Sequence, residues 1–286
     1  MNALLTPARD LAQPSTPSMQ AAVAFEQVVG RTVVTRCHSP APMKLLTPRR
    51  LGTAAWVYMS SYGGGLVAGD RLDLRVDVGS DATAVLTTQA STKVYHQQDG
   101  KSAQQLVDAK VGSNGTLIVA PDPITCFADA RYEQRQQFDL ASDASLLLLD
   151  WFTAGRLAHG ERWAFDTYAS ENIVQVDSET VACDRLRMDR EVASIDGPFM
   201  TNRYNCFAMV MLVGPAFNGA CKQIAEAVRE QVLPKQSMLP ISFSPMPWGG
   251  VLRLAGMGAE PVRAELERRL AFIGPTIGGG LWHRKW

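Results

Sequence analysis

Four carboxylates stand where their charge has to be accounted for. Asp70, Asp150 and Asp184 each lie at a strand end or beside a strongly apolar run, and Glu161 is followed by Arg162-Trp163. A carboxylate in such a place is paired, hydrated, bonded to backbone N–H groups or bound to a cation. On the residues alone the plain account is a backbone cap or an ion pair with Arg71 or Arg185, and for Glu161 a salt bridge; cation binding is the alternative. Thr87, Thr88, Thr92 and Lys93 form a second polar cluster, whose hydroxyls can relay a hydrated ion or bond across strands. Lys93 is expected to hold a carboxylate such as Asp70 or Asp150, because an ammonium repels a cation.

Other chemistries find little support. His38, His96, His159 and His283 never pair at metal-ligand spacing, and the neighbours Cys37 and His38 would point to opposite faces of a strand. Neither a G-x-S-x-G elbow nor an H-E-x-x-H motif occurs. An enzyme reading is left with Asp150 and Glu161 as an acid/base pair of a β-fold hydrolase. Gly63, Gly65 and Ala68 meet the G-x-G-x-x-A dinucleotide pattern, but that motif needs a helix N-terminus next, and a strand-like segment follows. Gly64 and Gly69 have P-loop spacing, yet Asp70-Arg71 stand where Lys and Ser/Thr are required. The glycines are therefore read as a tight strand connection.

The elements that must position these residues are mostly strands. "LDLRVDV" is apolar at Leu72, Leu74, Val76 and Val78 and charged between them, the period-two signature of a half-buried strand. Turns at Gly79-Ser80-Asp81, Asp99-Gly100 and Gly112 to Gly115 predict consecutive antiparallel hairpins. "SLLLLDW", "ENIVQVD" and "NCFAMVMLVG" are further strands, and "ISFSPMPWGGVLRLAG" a strand pair. Helical spacing of Cys221, Ile224, Ala225, Val228 and Val232 predicts one amphipathic helix. Val262, Leu266, Leu270 and Ile273 predict another, with Pro261 in its first turn and Gly274-Pro275 as its stop. The expected fold is mainly β: one large antiparallel or mixed β-rich domain, β-helix-like or sandwich-like, with two α-helices in the C-terminal third. It spans residues 22–286, after a loose leader over residues 1–21 that lacks the basic start and apolar stretch of a secretion signal.

With 28 Lys+Arg against 28 Asp+Glu in 286 residues, the chain carries no broad basic field for nucleic acid or an anionic membrane. No apolar run is long enough to span a bilayer. Five cysteines, odd in number and without a C-x-x-C pair, argue against a disulfide framework and a structural zinc site and suit a reducing cytoplasm.

Three segments taken together, "GGGLVAGDRLDL", "LTTQASTKVYH" and "LLDWFTAGRLAHGERW", resemble the urease accessory protein D family, also called UreD or UreH. The family's G-G-[IL]-V-x-G-D, T-x-x-[AS]-[ST]-K-x-Y and D-W…G-R-x-x-x-G-E stretches correspond to Gly64 to Asp70, Thr88 to Tyr95 and Asp150 to Glu161. Ala68 stands where many members have Gly, His283 where Pro is usual, and Asp184 where others can have Glu; none of these departures removes a carboxylate. The resemblance implies a non-catalytic urease maturation factor. Such a factor would join apo-urease to the urease accessory proteins F and G, the latter a GTPase, and pass Ni²⁺ through a polar interior path to the urease dinuclear site. Oxygen ligands that bind weakly are what such a path needs, so that the ion keeps moving. Asp70, Asp150, Asp184 and Glu161 are then its candidate transient ligands, and Thr88, Thr92 and Lys93 its polar support. Arg284 and Trp286, residue types enriched in binding hot spots, are candidate partner contacts at the C-terminus. No tightly bound cofactor is expected, and a plain adaptor without an ion role is a third reading.

Overall fold

The computed structural model describes residues 20–48, 52–97, 100–198, 200–231 and 237–282. In chain order the first strands are β1 (Ala21–Val28), β2 (Arg31–His38), β3 (Met43–Leu46), β4 (Ala55–Ser61), β5 (Arg71–Val78) and β6 (Thr83–Thr88). Next come β7 (Thr92–Val94), β8 (Ala103–Val111), β9 (Thr116–Val119), β10 (Ile124–Cys126), β11 (Arg131–Leu140) and β12 (Ser145–Thr153). The last are β13 (Thr167–Val176), β14 (Glu179–Asp189), β15 (Cys206–Val213), β16 (Ile241–Met246) and β17 (Gly249–Gly256). Helix α1 (Asn218–Arg229) lies between β15 and β16, and α2 (Ala259–Arg269) and α3 (Gly274–Ile277) follow β17.

From β4 to β13 the chain passes back and forth between two sheets and stacks its main strands in parallel within each sheet, with the short β7 and β10 to one side. A seven-stranded sheet has the order β14-β13-β11-β8-β5-β1-β2, and a ten-stranded sheet has the path β16-β17-β15-β12-β9-β6-β4-β3 with β10 and β7 alongside. Pairings β5·β8, β8·β11 and β11·β13 are parallel, as are β4·β6, β6·β9 and β9·β12. The architecture is solenoid-like, with antiparallel strands added at the flanks: β14 and β2 on one sheet, β15, β17, β16 and β3 on the other.

The antiparallel hairpins predicted at Gly79-Ser80-Asp81 and at Gly112 to Gly115 are not formed. These turns are corners that carry the chain from one sheet to the other, and they stack: Gly112 N donates to Val78 O at 2.8 Å and Gly115 stands over Gly79 O. A turn residue specifies a change of direction but not whether the next strand joins the same sheet. The β16·β17 pair is antiparallel as expected.

Burial explains two kinds of strand sequence. The outer face of the seven-stranded sheet meets water, so β5 alternates between buried Leu72, Leu74, Val76 and Val78 and charged neighbours. Around β12 and β15 the ten-stranded sheet is covered on both faces, which gives these strands unbroken apolar runs. Leu146, Leu148 and Phe152 enter the core between the sheets, while Leu147, Leu149 and Trp151 pack with Ile224, Val262, Leu266 and Ile277 of the helices. Helix α1 forms where the periodicity predicts. The second helix ends at Arg269, and Gly274-Pro275 opens α3 instead of stopping α2, because proline fits a first helical turn as well as it breaks an interior one.

Candidate functional site

Between the sheets the apolar core is interrupted by a polar belt. Gln134 and Gln136 of β11 and Ser170 and Asn172 of β13 point inward and are buried, each in register with its neighbour. Gln134 Nε2 donates to Ser170 Oγ at 2.8 Å, and Gln136 Nε2 donates to Asn172 Oδ1 at 2.9 Å. Asp150 faces them from β12. Its Oδ2 accepts from Ser170 Oγ at 2.6 Å and from Asn172 Nδ2 at 2.8 Å. Burial pushes the Asp150 carboxyl above the usual carboxylate range, and these hydrogen bonds pull it partly back. Among the described residues Asp150 has neutral donors and no ion pair.

Three cavities lie along or beside this belt and are related by shared lining residues. One of about 400 Å³ opens at the seam between β14 and β17 and is lined by Asp150, Asp184, Met209 and Arg253. A second, of about 160 Å³, lies beside the glycine connection and is lined by Gly65, Leu66, Thr88, Thr92 and Gln105. A third, of only about 10 Å³, shares Met59, Thr88, Thr92 and Gln105 with the second and Asp150 with the first, and adds Asp122, Gln134 and Gln136. That volume is about the least that holds one water molecule.

The sequence candidates fall into separate groups. Asp150 and Asp184 line the first cavity, and Thr88 and Thr92 line the other two, the smallest of which they share with Asp150. Thr88 Oγ1 accepts from Asp122 N at 2.7 Å and donates to Asp122 Oδ2 at 3.3 Å, which sets Asp122 beside the belt. Asp184 is paired with Arg253 of the other sheet, Nη2 to Oδ1 2.7 Å, and not with the adjacent Arg185, which binds Glu171. Asp70 accepts from Val67 N at 2.9 Å and closes the turn before β5, outside the three cavities; Arg71 pairs with Asp73. Glu161 binds Arg156 and accepts from Ala128 N at 3.1 Å, also outside them, and the bond with Arg156 holds its carboxyl below the usual range. Asp150 and Glu161 therefore share neither a partner nor a cavity, as an acid/base pair would.

Lys93 does not hold Asp70 or Asp150. Its side chain is exposed and forms no ion pair among the described residues, because β7 turns it to the outer face while Val94 faces inward. Its carbonyl instead accepts from Leu66 N at 2.8 Å, which ties the glycine connection to β7. A Cβ on Gly65 would lie 2.5 Å from the Tyr95 ring and 2.9 Å from Lys93 O. The connection is thus a close-packed turn leading into a strand, with no helix N-terminus to hold a phosphate. No group of three or more His, Cys, Asp or Glu capable of holding a metal occurs among the described residues. Cys126 is buried, and burial pushes its thiol far up, so the interior offers oxygens and amides rather than a thiolate. Arg284 and Trp286 lie outside the described residues.

Gln105, Asp122, Gln134, Gln136, Ser170, Asn172 and Arg253 were missed by sequence reasoning. A signal existed for four of them. Phe138 and Leu140 set the inward phase of β11, and stepping back by two reaches Gln136 and Gln134; Val174 and Val176 lead in the same way to Asn172 and Ser170.

Comparison with known proteins shows which family the chain resembles along its length. The family model described as UreD urease accessory protein matches residues 18–283. The chain is 41% identical over 267 residues to the urease accessory protein UreD of Sorangium cellulosum, covering 92% of this chain and 83% of that protein. It is 35% identical over 286 residues to urease accessory protein D of Arabidopsis thaliana, covering 90% and 97%. It is 33% identical over 297 residues to urease accessory protein D of Oryza sativa subsp. indica, covering 94% and 97%.

Proposed function

The chain belongs to the UreD family of urease accessory proteins, and from that premise we propose that it is a non-catalytic scaffold that delivers Ni²⁺ during urease maturation. It bridges apo-urease to the urease accessory proteins F and G in the cytoplasm, and the ion crosses its interior between the two sheets. Family membership supports the role in urease maturation; the belt built on Asp150 is the observation that carries the ion path. A carboxylate and four side-chain amides and hydroxyls stand in an otherwise apolar core, where they are tolerated because they hydrogen-bond to one another. Together they offer oxygen atoms of the kind that a hard or borderline divalent cation accepts, in numbers too small and on strands too spread to trap it. Asp150 and Asp184 are the transient ligands, with Thr88 and Thr92 as polar lining. Asp70 and Glu161 keep the turn and loop that frame the path. No tightly bound cofactor is part of this function.

The test is urease nickel content and activity in a urease-producing host with the gene deleted and then restored, followed by Asp150→Asn. Delivery through the interior requires apo-urease to accumulate on deletion, and Asp150→Asn to lower nickel while the complex still assembles. A plain adaptor would tolerate the substitution without loss of nickel.

A further inference from the structure

Three arginines line the cavity shared by Asp150 and Asp184, and they are not equivalent. Arg185 is paired with Glu171 and Arg187 with Asp189, both within the seven-stranded sheet. Arg253 comes from the other sheet and crosses the seam to reach Asp184. Strand register explains why it can. Arg253 stands opposite Met209, which stands opposite Asp150, so the three share one face of the ten-stranded sheet. Asp184 stands opposite Asn172 on the facing side of the seven-stranded sheet. The sheets are thus joined twice along one row, by Asn172 and Asp150 inside and by Arg253 and Asp184 at the rim.

We propose that Arg253 is the latch of this mouth. Resting on the reading of the interior as a cation path, its guanidinium occupies the carboxylate that a passing divalent cation needs, and its charge opposes the cation's entry. The latch is built to open. The two side chains remain 48% and 24% exposed, a setting in which an ion pair contributes little and a long arginine can swing into water with its stem still packed. Opening is an exchange of counter-charges on Asp184, cation for guanidinium, with no covalent step. Asp150, by contrast, has only neutral donors and needs no such exchange. Arg253 therefore sets the rate at which the mouth passes an ion, while Asp150 decides whether the path works at all.

The experiment compares initial rates of nickel incorporation into urease, at limiting nickel, in a host carrying Arg253→Met, Arg253→Gln, Arg253→Lys or Asp150→Asn. Loss of the latch should raise the rate roughly two- to fivefold, the ratio that matches a half-exposed pair. Both uncharged variants should show it, Arg253→Lys should not, and in an Asp184→Asn background Arg253→Met should raise the rate by less than it does alone. Rates at or below wild type in both uncharged variants, with Asp150→Asn still lowering delivery, would overturn the latch and leave the path standing. If Asp150→Asn has no effect, the path itself is wrong and the latch falls with it.

Discussion

Asn172 Nδ2 lies 2.8 Å from Asp150 Oδ2, and this bond joins β13 of one sheet to β12 of the other across an otherwise apolar core. Asp150 Oδ2 also accepts from Ser170, so one oxygen satisfies two donors from the facing strand.

Replacing this acceptor separates structure from transport. Asp150→Asn keeps a carbonyl oxygen that both donors can use, so at neutral pH its melting temperature should not fall below wild type while urease nickel content falls. Asp150→Ala leaves the Ser170 and Asn172 donors unpaired in the interior and should cost about 1–3 kcal/mol in denaturant unfolding. Equal stability of the two variants would show that the hydrogen bonds contribute nothing.

The same carboxyl makes stability depend on pH. Burial raises its folded-state pKa above the ordinary 3.8, so the folded state binds the proton more tightly than the unfolded one. The contribution is fully present below the unfolded value and is lost as pH rises through the folded one. Melting curves of wild type and Asp150→Asn taken upward from about pH 4 should therefore diverge, with wild type losing ground relative to the variant. Parallel curves would mean that the carboxyl titrates normally.

Glu161 has the opposite sign. Arg156 holds its pKa below the ordinary value, so its contribution is present above the unfolded value of 4.5 and is lost as pH falls through the folded one. Glu161→Gln should lower the melting temperature slightly at neutral pH, lose that effect on acidification, and leave urease nickel unchanged. A fall in nickel as deep as that of Asp150→Asn would return Glu161 to the path.

Gly65→Ala tests the packing of the glycine connection. The new methyl would meet Lys93 O at 2.9 Å, a backbone atom that cannot swing aside, as well as the Tyr95 ring. The expected cost is about 1–3 kcal/mol of stability, typical of overpacking, read by denaturant unfolding. A neutral result would mean that Leu66 and Lys93 are not tied as the structure shows.

Much of the fold was legible because the signals are local. Alternation in "LDLRVDV" and unbroken apolarity in "SLLLLDW" report how many faces of a strand are covered, and that depends on each segment's own residues. Helical spacing located α1 and the body of α2 for the same reason. Parallel pairing was not legible, because the partners are far apart and unevenly spaced: Arg71 meets Gln104 33 residues on, Gln104 meets Glu133 29 on, and Gln134 meets Ser170 36 on. With coils of unequal length, no fixed repeat is visible in the chain.

The candidate site divides along the same line. By itself the sequence determined that Asp150 stands in a buried strand, that the glycine run leads into a strand rather than a helix, and that the chain resembles the UreD family, since each depends on residue type and order along one stretch. Tertiary structure alone decided the partners. It gave Asp184 to Arg253 rather than to its neighbour Arg185, turned Lys93 to the outer face, and set Ser170 and Asn172 against Asp150. Charge and hydrogen bonding act across a few ångströms of space, and only the stacking of distant strands determines which side chains come that close.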